Sequence, residues 1–287
     1  MKKVIVDDQM IDESAACINM FDRGYHFGDG VYEVIRVWDG ELFAFDEHFN
    51  RFSKSATKIK IEIPYTKDDL KERICKLVKE NNVQLGTVFF QLTRGVAPRI
   101  HEFPPGFTKP VFTAFTTESG ILEKEQNDGV EVILTEDIRW LLCEIKSINL
   151  LPNVLAKQDA KSRGCFEAVF HRDGIVTEGA LSNIFIIKDR KVITHPVSRL
   201  ILNGITRQFV IQLAEENNIP MIQHEFGNDQ MLSADEVFLT STPWEVMPVI
   251  RVEEKIIGKG IPGTITRQLQ MLFREKIVSN IRSSKQK

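Results

Sequence analysis

Short runs of β-branched and aromatic residues, separated by turn residues, recur along this chain and limit the folds it can adopt. Residues 31–38 precede Asp39-Gly40, and residues 41–45 follow it, which predicts a hairpin on a two-residue turn. Further strands are predicted over 87–94, 110–115, 130–135, 166–170, 183–188, 191–194 and 236–240. Because short connections join the strands and helices are few, we expect an α+β fold with two sheets.

Helices are predicted at a few places between the strands. Asp46 has the side chain of an N-cap and predicts a helix that continues to Ala56. Apolar residues at helical spacing predict further helices over 67–82, around 154–160, over 206–217 and from Thr264 onward.

The length of 287 residues favours two domains over one. A charged stretch over 118–129 is the predicted interdomain linker. The predicted domains are therefore a small amino-terminal α+β domain over 1–117 and a larger carboxy-terminal domain over 130–287.

Composition argues against several classes of protein. The net charge of −3 gives no basic surface for nucleic acid, and no apolar run has the roughly 18–20 residues that a membrane span needs. The six histidines lack metal-binding spacing, so no metal site is expected. The four cysteines lie far apart, which favours free thiols and a cytoplasmic location.

Lys146 is the strongest candidate for a catalytic side chain. Most lysines flanked by apolar residues extend to solvent, but burial of the amine would lower its pKa and make it a nucleophile for an aldehyde or ketone. Further along the chain, Thr177-Glu178-Gly179 supplies a carboxylate. A lysine for a Schiff base and a distant carboxylate for a ring nitrogen are what pyridoxal phosphate requires, although Glu178 alone also fits a surface turn.

Other segments have the residues to bind anions. The helix that begins after Asn203-Gly204 presents the free amides of Ile205 and Thr206, as any capped helix does. Thr242, in a hydroxyl-rich turn, and Arg51 could contact the same phosphate. In a long polar loop of about fifteen residues, Arg99 and His101 could bind a carboxylate near Tyr32, or the loop could simply be solvated.

Together these segments resemble the fold-type-IV pyridoxal phosphate enzymes and, within them, the bacterial D-amino acid transaminases. The resemblance extends over nearly the whole chain. The segments that carry it are 22–33, 94–101, 137–147, 177–183, 204–207 and 240–242.

The resemblance implies a role for each candidate residue. Lys146 is expected to hold the cofactor as a Schiff base and to transfer the substrate proton. Glu178 is expected to pair with the pyridine nitrogen, with Arg139 behind it. The phosphate ligands are expected to be Arg51, Ile205, Thr206 and Thr242. Tyr32, with Arg99 and His101 of the partner subunit, is expected to bind the substrate α-carboxylate.

These roles imply a homodimer with a shared active site. They also imply ping-pong transfer of an amino group from a D-amino acid such as D-alanine to an α-keto acid such as 2-oxoglutarate. The chain departs from the D-transaminase pattern at Ala180-Leu181 and at Trp244.

Three other functions compete with D-transamination. An L-branched-chain aminotransferase and an aminodeoxychorismate lyase share the fold, the lysine and the glutamate. Arg99 and His101 favour a D-amino acid transaminase over the branched-chain aminotransferase. A transaminase also passes the amino group to a keto acid acceptor, which the lyase does not need. A non-catalytic relative would be expected to lack Lys146 or Glu178, and both are present.

Overall fold

The computed structural model describes residues 2–285, and its amino-terminal part contains a six-stranded sheet in which all neighbouring strands are antiparallel. The strands are β1 (Lys3–Val6), β2 (Gln9–Asp12), β3 (Gly30–Trp38), β4 (Glu41–Leu42), β5 (Leu85–Thr93) and β6 (Val111–Glu118). They lie in the order β2-β1-β6-β5-β3-β4. The predicted strands at 31–38, 87–94 and 110–115 are confirmed.

The hairpin of β3 and β4 forms on the predicted turn. Asp39 and Gly40 have φ values of 51° and 77°, the pair of positive φ angles that matches a two-residue hairpin turn to the twist of the strands. Its second strand is only two residues long, because Ala44 takes a left-handed conformation and a helix begins at Phe45.

Three helices belong to this part of the chain: α1 (Arg23–Phe27), α2 (Phe45–Lys58) and α3 (Lys67–Glu80). The predicted N-cap of α2 is wrong, because Ala44 holds that position and Asp46 lies in the first turn, paired with Lys67 at 3.0 Å. Phe45 is 4% exposed, so burial of its ring sets the start of α2. Asp46 still favours the helix through its charge near the amino terminus.

The second sheet has nine strands within the described chain and is mixed. Its strands are β7 (Val130–Glu136), β8 (Glu167–Arg172), β9 (Ile175–Gly179), β10 (Asn183–Lys188), β11 (Lys191–Thr194), β12 (Met221–Gln223), β13 (Glu236–Ser241), β14 (Glu245–Val252) and β15 (Lys255–Ile256). The order is β12-β11-β10-β13-β14-β7-β8-β9, with β15 on β14. Parallel pairing joins β11 to β12 and joins β7 to both β14 and β8. The α+β class with two sheets is confirmed.

The rest of the described chain contains five α-helices: α4 (Glu123–Asp128), α5 (Leu151–Ser162), α6 (Ile205–Glu216), α7 (Asn228–Leu232) and α8 (Thr264–Lys285). Helix α4 lies inside the predicted linker, where the sequence analysis expects no helix. Its Gln126 is buried and donates from Nε2 to the carbonyl of Trp244 at 3.0 Å, while Arg267 donates to the carbonyl of Gln126 at 2.7 Å. These long-range contacts explain why a charged segment is helical.

Each sheet has its own aromatic core. In the first, the rings of Phe52 and Phe90 meet edge to face at 5.1 Å between centroids. In the second, Phe185 and Phe238 are register partners on β10 and β13, and their rings stack at 4.7 Å. Such pairs contribute about 0.5–1.5 kcal/mol beyond the burial of their area, so the first pair fastens a helix to its sheet and the second favours the register of β10 with β13.

The described chain divides into two compact units. Residues 2–120, 145–149 and 279–285 form the first, and residues 121–144 and 150–278 form the second. Residues 145–149, which fall within the predicted carboxy-terminal domain, belong to the first unit because they pair with β3: Tyr32 N donates to Lys146 O at 3.0 Å, and Ile148 N donates to Gly30 O at 3.1 Å.

Residues 2–285 contain neither a candidate membrane-spanning helix nor a candidate metal-binding cluster. No helix there has the length and apolarity to cross a bilayer. No group of three or more His, Cys, Asp or Glu side chains is arranged to hold a metal ion in that range.

Candidate active site

Lys146 lies on an extended segment whose backbone is fixed on both sides. Besides its pairing with Tyr32, Lys146 donates from its backbone N to Ser55 Oγ at 3.1 Å. Its side chain is partly buried, with Nζ 4.1 Å from the centroid of the Tyr32 ring. Within residues 2–285, Nζ has no hydrogen bond or ion pair. A fixed backbone and an amine not bound to a carboxylate suit a nucleophile.

The charge of Lys146 acts on the buried His48, which forms a cluster with the buried Glu33 and the half-buried Arg51 in the same unit. Arg51 donates to both carboxylate oxygens of Glu33 at 2.7 and 2.9 Å, and His48 Nδ1 lies 2.7 Å from Oε2. Burial acts to raise the pKa of Glu33, but Arg51 and His48 outweigh it and hold that pKa well below its usual range. Burial also lowers the pKa of His48, against the effect of Glu33.

Arg99 and His101 lie on the loop between β5 and β6, and both are exposed. The guanidinium carbon of Arg99 is 5.2 Å from the centroid of the Phe27 ring, and the His101 ring is 5.5 Å from the same centroid. The structure therefore brings the two predicted cations to one ring. It does not bring Tyr32 to them within the described chain, because the Tyr32 ring stacks on Phe89 at 5.4 Å.

In the second unit, Glu178 is held on β9 by three donors. Arg139 Nη1 donates to Oε1 at 2.5 Å, and Asn183 Nδ2 and Leu202 N donate to Oε2 at 3.1 and 2.9 Å. Burial raises the pKa of Glu178, and the charge of Arg139 opposes the rise. A carboxylate has about four acceptor positions, so Oε1 keeps one for a further donor.

Arg139 is itself fixed by a second carboxylate, that of Asp137. Its Nε and Nη2 donate to the two oxygens of Asp137, each at 2.8 Å. Arg172 and Thr177 also donate to Asp137 Oδ2, at 3.2 and 3.1 Å. Burial acts to raise the pKa of Asp137, but the hydrogen bonds and charge of Arg139 outweigh it and lower that pKa. The predicted Glu178–Arg139 pair is thus one end of a longer network.

The start of α6 presents backbone N–H donors close to Asn183, which donates a hydrogen bond to Glu178. Gly204 is the N-cap and has no side-chain cap, and Ile205 and Thr206 are buried in the first turn. A Cβ at Gly204 would collide with Asn183 Oδ1, so glycine permits the approach of the amide that binds Glu178.

The hydroxyl-rich turn lies at the end of β13. Thr242 is half-buried and follows β13, and Thr240 is the register partner of Asn183. Thr240 Oγ1 is buried and has no hydrogen-bond partner within residues 2–285. A buried hydroxyl without a partner is costly in a folded protein, which makes it a candidate ligand contact.

The structure shows the surroundings of Leu181 and Trp244, where the sequence departs from the D-transaminase pattern. Leu181 is 49% exposed, and its backbone N donates to Glu167 Oε2 at 3.1 Å. Trp244 packs its ring against Phe166 at 4.7 Å between centroids, with Lys157 Nζ 4.7 Å from the ring centroid. Trp244 therefore belongs to the packing of the second sheet.

Sequence reasoning missed the groups that support the candidates. Sequence analysis assigns no role to Glu33 or His48, although a glutamate that shares one strand face with Val31, Ile35 and Val37 is a signal of a buried charge. Asp137 and Asn183 enter the sequence analysis only as members of the segments 137–147 and 177–183.

Comparison with known proteins identifies the family. Residues 30–252 match the family described as "Amino-transferase class IV". The chain is 48% identical to the D-alanine aminotransferase of Staphylococcus epidermidis, over 98% of this chain and 99% of that protein. It is 46% identical to that of Bacillus licheniformis, over 96% and 98%. The chain belongs to the class IV aminotransferases, a family of pyridoxal phosphate enzymes.

Solved structures agree with this assignment. The branched-chain amino acid aminotransferase of T.th., solved with pyridoxamine 5'-phosphate, is 26% identical with a TM-score of 0.91, over 97% of this chain and 95% of that chain. A Legionella pneumophila protein described as a 4-amino-4-deoxychorismate lyase is 25% identical with a TM-score of 0.82, over 92% and 97%. The predicted fold-type-IV architecture is confirmed.

Proposed function

We propose that this protein transfers the amino group of D-amino acids, D-alanine among them, to an α-keto acid such as 2-oxoglutarate. The observation that carries the proposal is identity of 44–48% with D-alanine aminotransferases along nearly the whole chain. The exposed pair of Arg99 and His101 supports it, since this pair belongs to the D-type pattern.

The donor sets in the structure fit pyridoxal phosphate. When bound, this cofactor supplies an aldehyde for Schiff-base exchange and a ring that accepts electrons. Glu178 would hold the proton of the ring nitrogen at Oε1, where Arg139 leaves an acceptor position. The amides of Ile205 and Thr206 would bind the phosphate.

Thr242 and Arg51 would complete the phosphate site. Thr242 would donate its hydroxyl, and the unpartnered hydroxyl of Thr240 supports a polar ligand at this turn. Arg51 would supply a fixed cation, and its pairing with Glu33 would orient the guanidinium.

Lys146 would act as nucleophile and as proton carrier. Its amine would hold the cofactor at the aldehyde and, when free, would take the proton from the substrate Cα. The backbone bonds to Tyr32 and Ser55 would hold the amine in place through these steps.

Tyr32, with Arg99 and His101 of the partner subunit, would bind the substrate α-carboxylate through charge-assisted hydrogen bonds. Fixing the carboxylate sets the direction of the Cα–H bond and so selects the D enantiomer. This arrangement requires a homodimer. Exposed apolar side chains in the first unit support one, with Tyr25 and Phe107 at 79% and 80% exposed. Free cysteines in the described chain support a cytoplasmic location.

The L-branched-chain aminotransferase and the lyase remain alternatives because both are represented among the structural relatives. Their identity to this chain is 25–26%, against 44–48% for the D-alanine aminotransferases.

The test incubates purified protein with 2-oxoglutarate and either D-alanine or L-alanine, and follows pyruvate. Pyruvate from D-alanine alone is the expected result. Pyruvate from L-alanine, or turnover of L-leucine in place of D-alanine, would favour the branched-chain alternative. Pyruvate released from aminodeoxychorismate without a keto acid acceptor would favour the lyase.

A further inference from the structure

Arg23 is a buried arginine that the proposed reaction does not use. It is 3% exposed and lies at the start of α1, within the 22–33 segment. Its Nη1 donates to the carbonyl of Ile100 at 2.7 Å, and its Nη2 donates to that of His101 at 3.4 Å. One guanidinium therefore contacts two consecutive carbonyls of the loop that carries Arg99 and His101.

The position of Arg23 is itself fixed by a carboxylate. Asp29 Oδ2 accepts from Arg23 Nε at 2.9 Å and from Arg94 Nε at 2.8 Å, and Arg94 Nη2 donates to Oδ1 at 2.9 Å. Arg94 also has its guanidinium carbon 3.8 Å from the centroid of Phe103, further along the same loop. Asp29 thus holds the guanidinium groups of Arg23 and Arg94, and both groups contact the stretch 100–103 of the loop.

Phe27 joins this network to the exposed cations. Its ring centroid is 4.7 Å from the guanidinium carbon of Arg23 and 5.2 Å from that of Arg99, and the His101 ring lies 5.5 Å away. Two cations and an imidazole therefore share one aromatic ring. Cation–π contact favours this arrangement and limits the positions that Arg99 can take.

The backbone of the same segment also pairs with the loop. Arg23 N donates to Gly95 O at 3.0 Å, and Ala97 N donates to Phe21 O at 3.2 Å. These bonds fix the first residues of the loop, whereas Arg23 reaches the stretch where the cations lie.

We infer that Arg23 is a positioning residue for substrate recognition: through the carbonyls of Ile100 and His101 and the ring of Phe27, it sets where Arg99 and His101 present their charges. The inference rests on the proposed function, in which these two residues bind the substrate carboxylate. Arg23 itself contacts no substrate. Preorganised donors bind a carboxylate without an ordering cost at the moment of binding, so loss of Arg23 weakens binding of both substrates.

The experiment compares the holoenzymes of wild type, Arg23→Met, Arg23→Lys and Arg99→Ala with D-alanine and 2-oxoglutarate. For Arg23→Met, KM for both substrates should rise about ten-fold, as expected for a lost hydrogen bond from a charged donor, with kcat within about two-fold. Arg23→Lys keeps the charge but not the forked pair of donors, so its KM values should lie between those of wild type and Arg23→Met. Hydrogen–deuterium exchange should accelerate over residues 96–109.

Arg36→Met is the matched control for the loss of a buried arginine in the same unit. Arg36 is 2% exposed, donates to the carbonyl of Gly120 at 3.1 Å and lies 5.7 Å from the Trp38 ring centroid, away from the loop. The Arg36→Met substitution should lower thermal stability and leave KM for both substrates unchanged. Should Arg23→Met fail to fold, Phe27→Leu at a half-buried site tests the same path and should raise KM.

Arg99→Ala is expected to raise KM. If it does and KM is unchanged in a folded Arg23→Met, the inference is overturned. Where Arg23→Met does not fold, an unchanged KM in Phe27→Leu overturns it in the same way. An equal rise in Arg36→Met also overturns it, because the effect would then be general destabilisation. Failure of the proposed function has a different signature: wild type would not turn over D-alanine. The exchange data would still test the anchoring of the loop in that case, and unchanged exchange over residues 96–109 would overturn it.

Discussion

At the residue scale, Lys146 offers the most direct test of the proposed chemistry. Its backbone is held by Tyr32 and Ser55, and its Nζ has no hydrogen bond or ion pair within residues 2–285, so the side chain can be shortened with little effect on the fold. Lys146→Ala should lower turnover by about a thousandfold or more, because nucleophile and proton carrier are lost together. Pyruvate formation measures turnover, and circular dichroism with a melting curve measures folding.

Lys146→Arg is the matched control, since it keeps a positive charge but cannot lose its proton at neutral pH. It should be as inactive as Lys146→Ala. Full activity in either folded variant would exclude Lys146 as the nucleophile. Activity in the arginine variant alone would indicate that only the charge is required.

The buried Glu33–His48 pair predicts a decline of stability in acid. The folded-state pKa of His48 lies below its ordinary 6.5, so as the pH falls below 6.5 the unfolded chain binds a proton that the folded chain does not. The folded-state pKa of Glu33 is depressed, so its contribution is complete above its ordinary 4.5 and is lost as the pH falls further. Each group should lower the free energy of unfolding by up to about 1.4 kcal/mol per pH unit within its window.

Urea unfolding at several pH values between 7 and 3 measures this decline. His48→Asn should flatten the dependence immediately below pH 6.5, and Glu33→Gln should flatten it below 4.5. Lys67→Gln is a suitable control, because its exposed pair with Asp46 contributes little. The same slope in wild type and in both test variants would contradict the assignment.

Sequence reasoning identified the candidate side chains of the site more readily than the groups that surround them. Lys146 and Glu178 belong to short motifs that can be read directly. The supports of Glu178 are backbone and side-chain groups distant in sequence, Leu202 N and Arg139 among them, and only the folded chain shows their contact. Glu33 was within reach of sequence reasoning, because a charge on the apolar face of a strand demands a partner.

At the scale of elements, the second residue of the loop between β5 and β6 is a glycine that a larger residue cannot easily replace. Gly95 has a φ of 103°, and a Cβ there would overlap the carbonyl of Lys109 at the other end of the loop. Gly95→Ala should cost about 2 kcal/mol or more through backbone strain and crowding together. Urea unfolding measures the loss.

Gly106, in the same loop, separates strain from crowding. Its φ is 75°, but a Cβ there would have no atom within 4 Å. Gly106→Ala should therefore cost only about 1–2 kcal/mol, the strain of the left-handed conformation. Equal losses in the two variants would mean that the contact with Lys109 contributes nothing.

The elements themselves were predictable where local signals were strong. Helix α3 begins after Thr66, whose side chain and that of Asp69 form a capping box, and the predicted helix starts at its first residue. The predicted strand over 183–188 matches β10. The pairing of β7 with β14 and β8 was beyond sequence reasoning, because parallel partners lie far apart in the chain and no local pattern specifies them.

At the scale of the whole molecule, the proposed carboxylate site requires two chains. Arg99 and His101 are exposed on the described chain and do not meet Tyr32 within it. A partner subunit that supplies them would resolve this, and the exposed rings of Tyr25 and Phe107 offer an apolar surface for such a partner. Sedimentation should show a dimer at micromolar concentration.

Subunit complementation tests whether the site is shared. A Lys146→Ala chain has intact loop cations, and an Arg99→Ala, His101→Ala chain has an intact lysine. If the cations act on the partner's lysine, random mixing gives mixed dimers with one complete site, and activity at low substrate should recover to about a quarter of wild type. If they act within their own chain, no mixed dimer contains a complete site and activity should stay at the sum of the parents. Lys146→Ala mixed with Lys146→Arg is the control, and it should recover nothing under either arrangement.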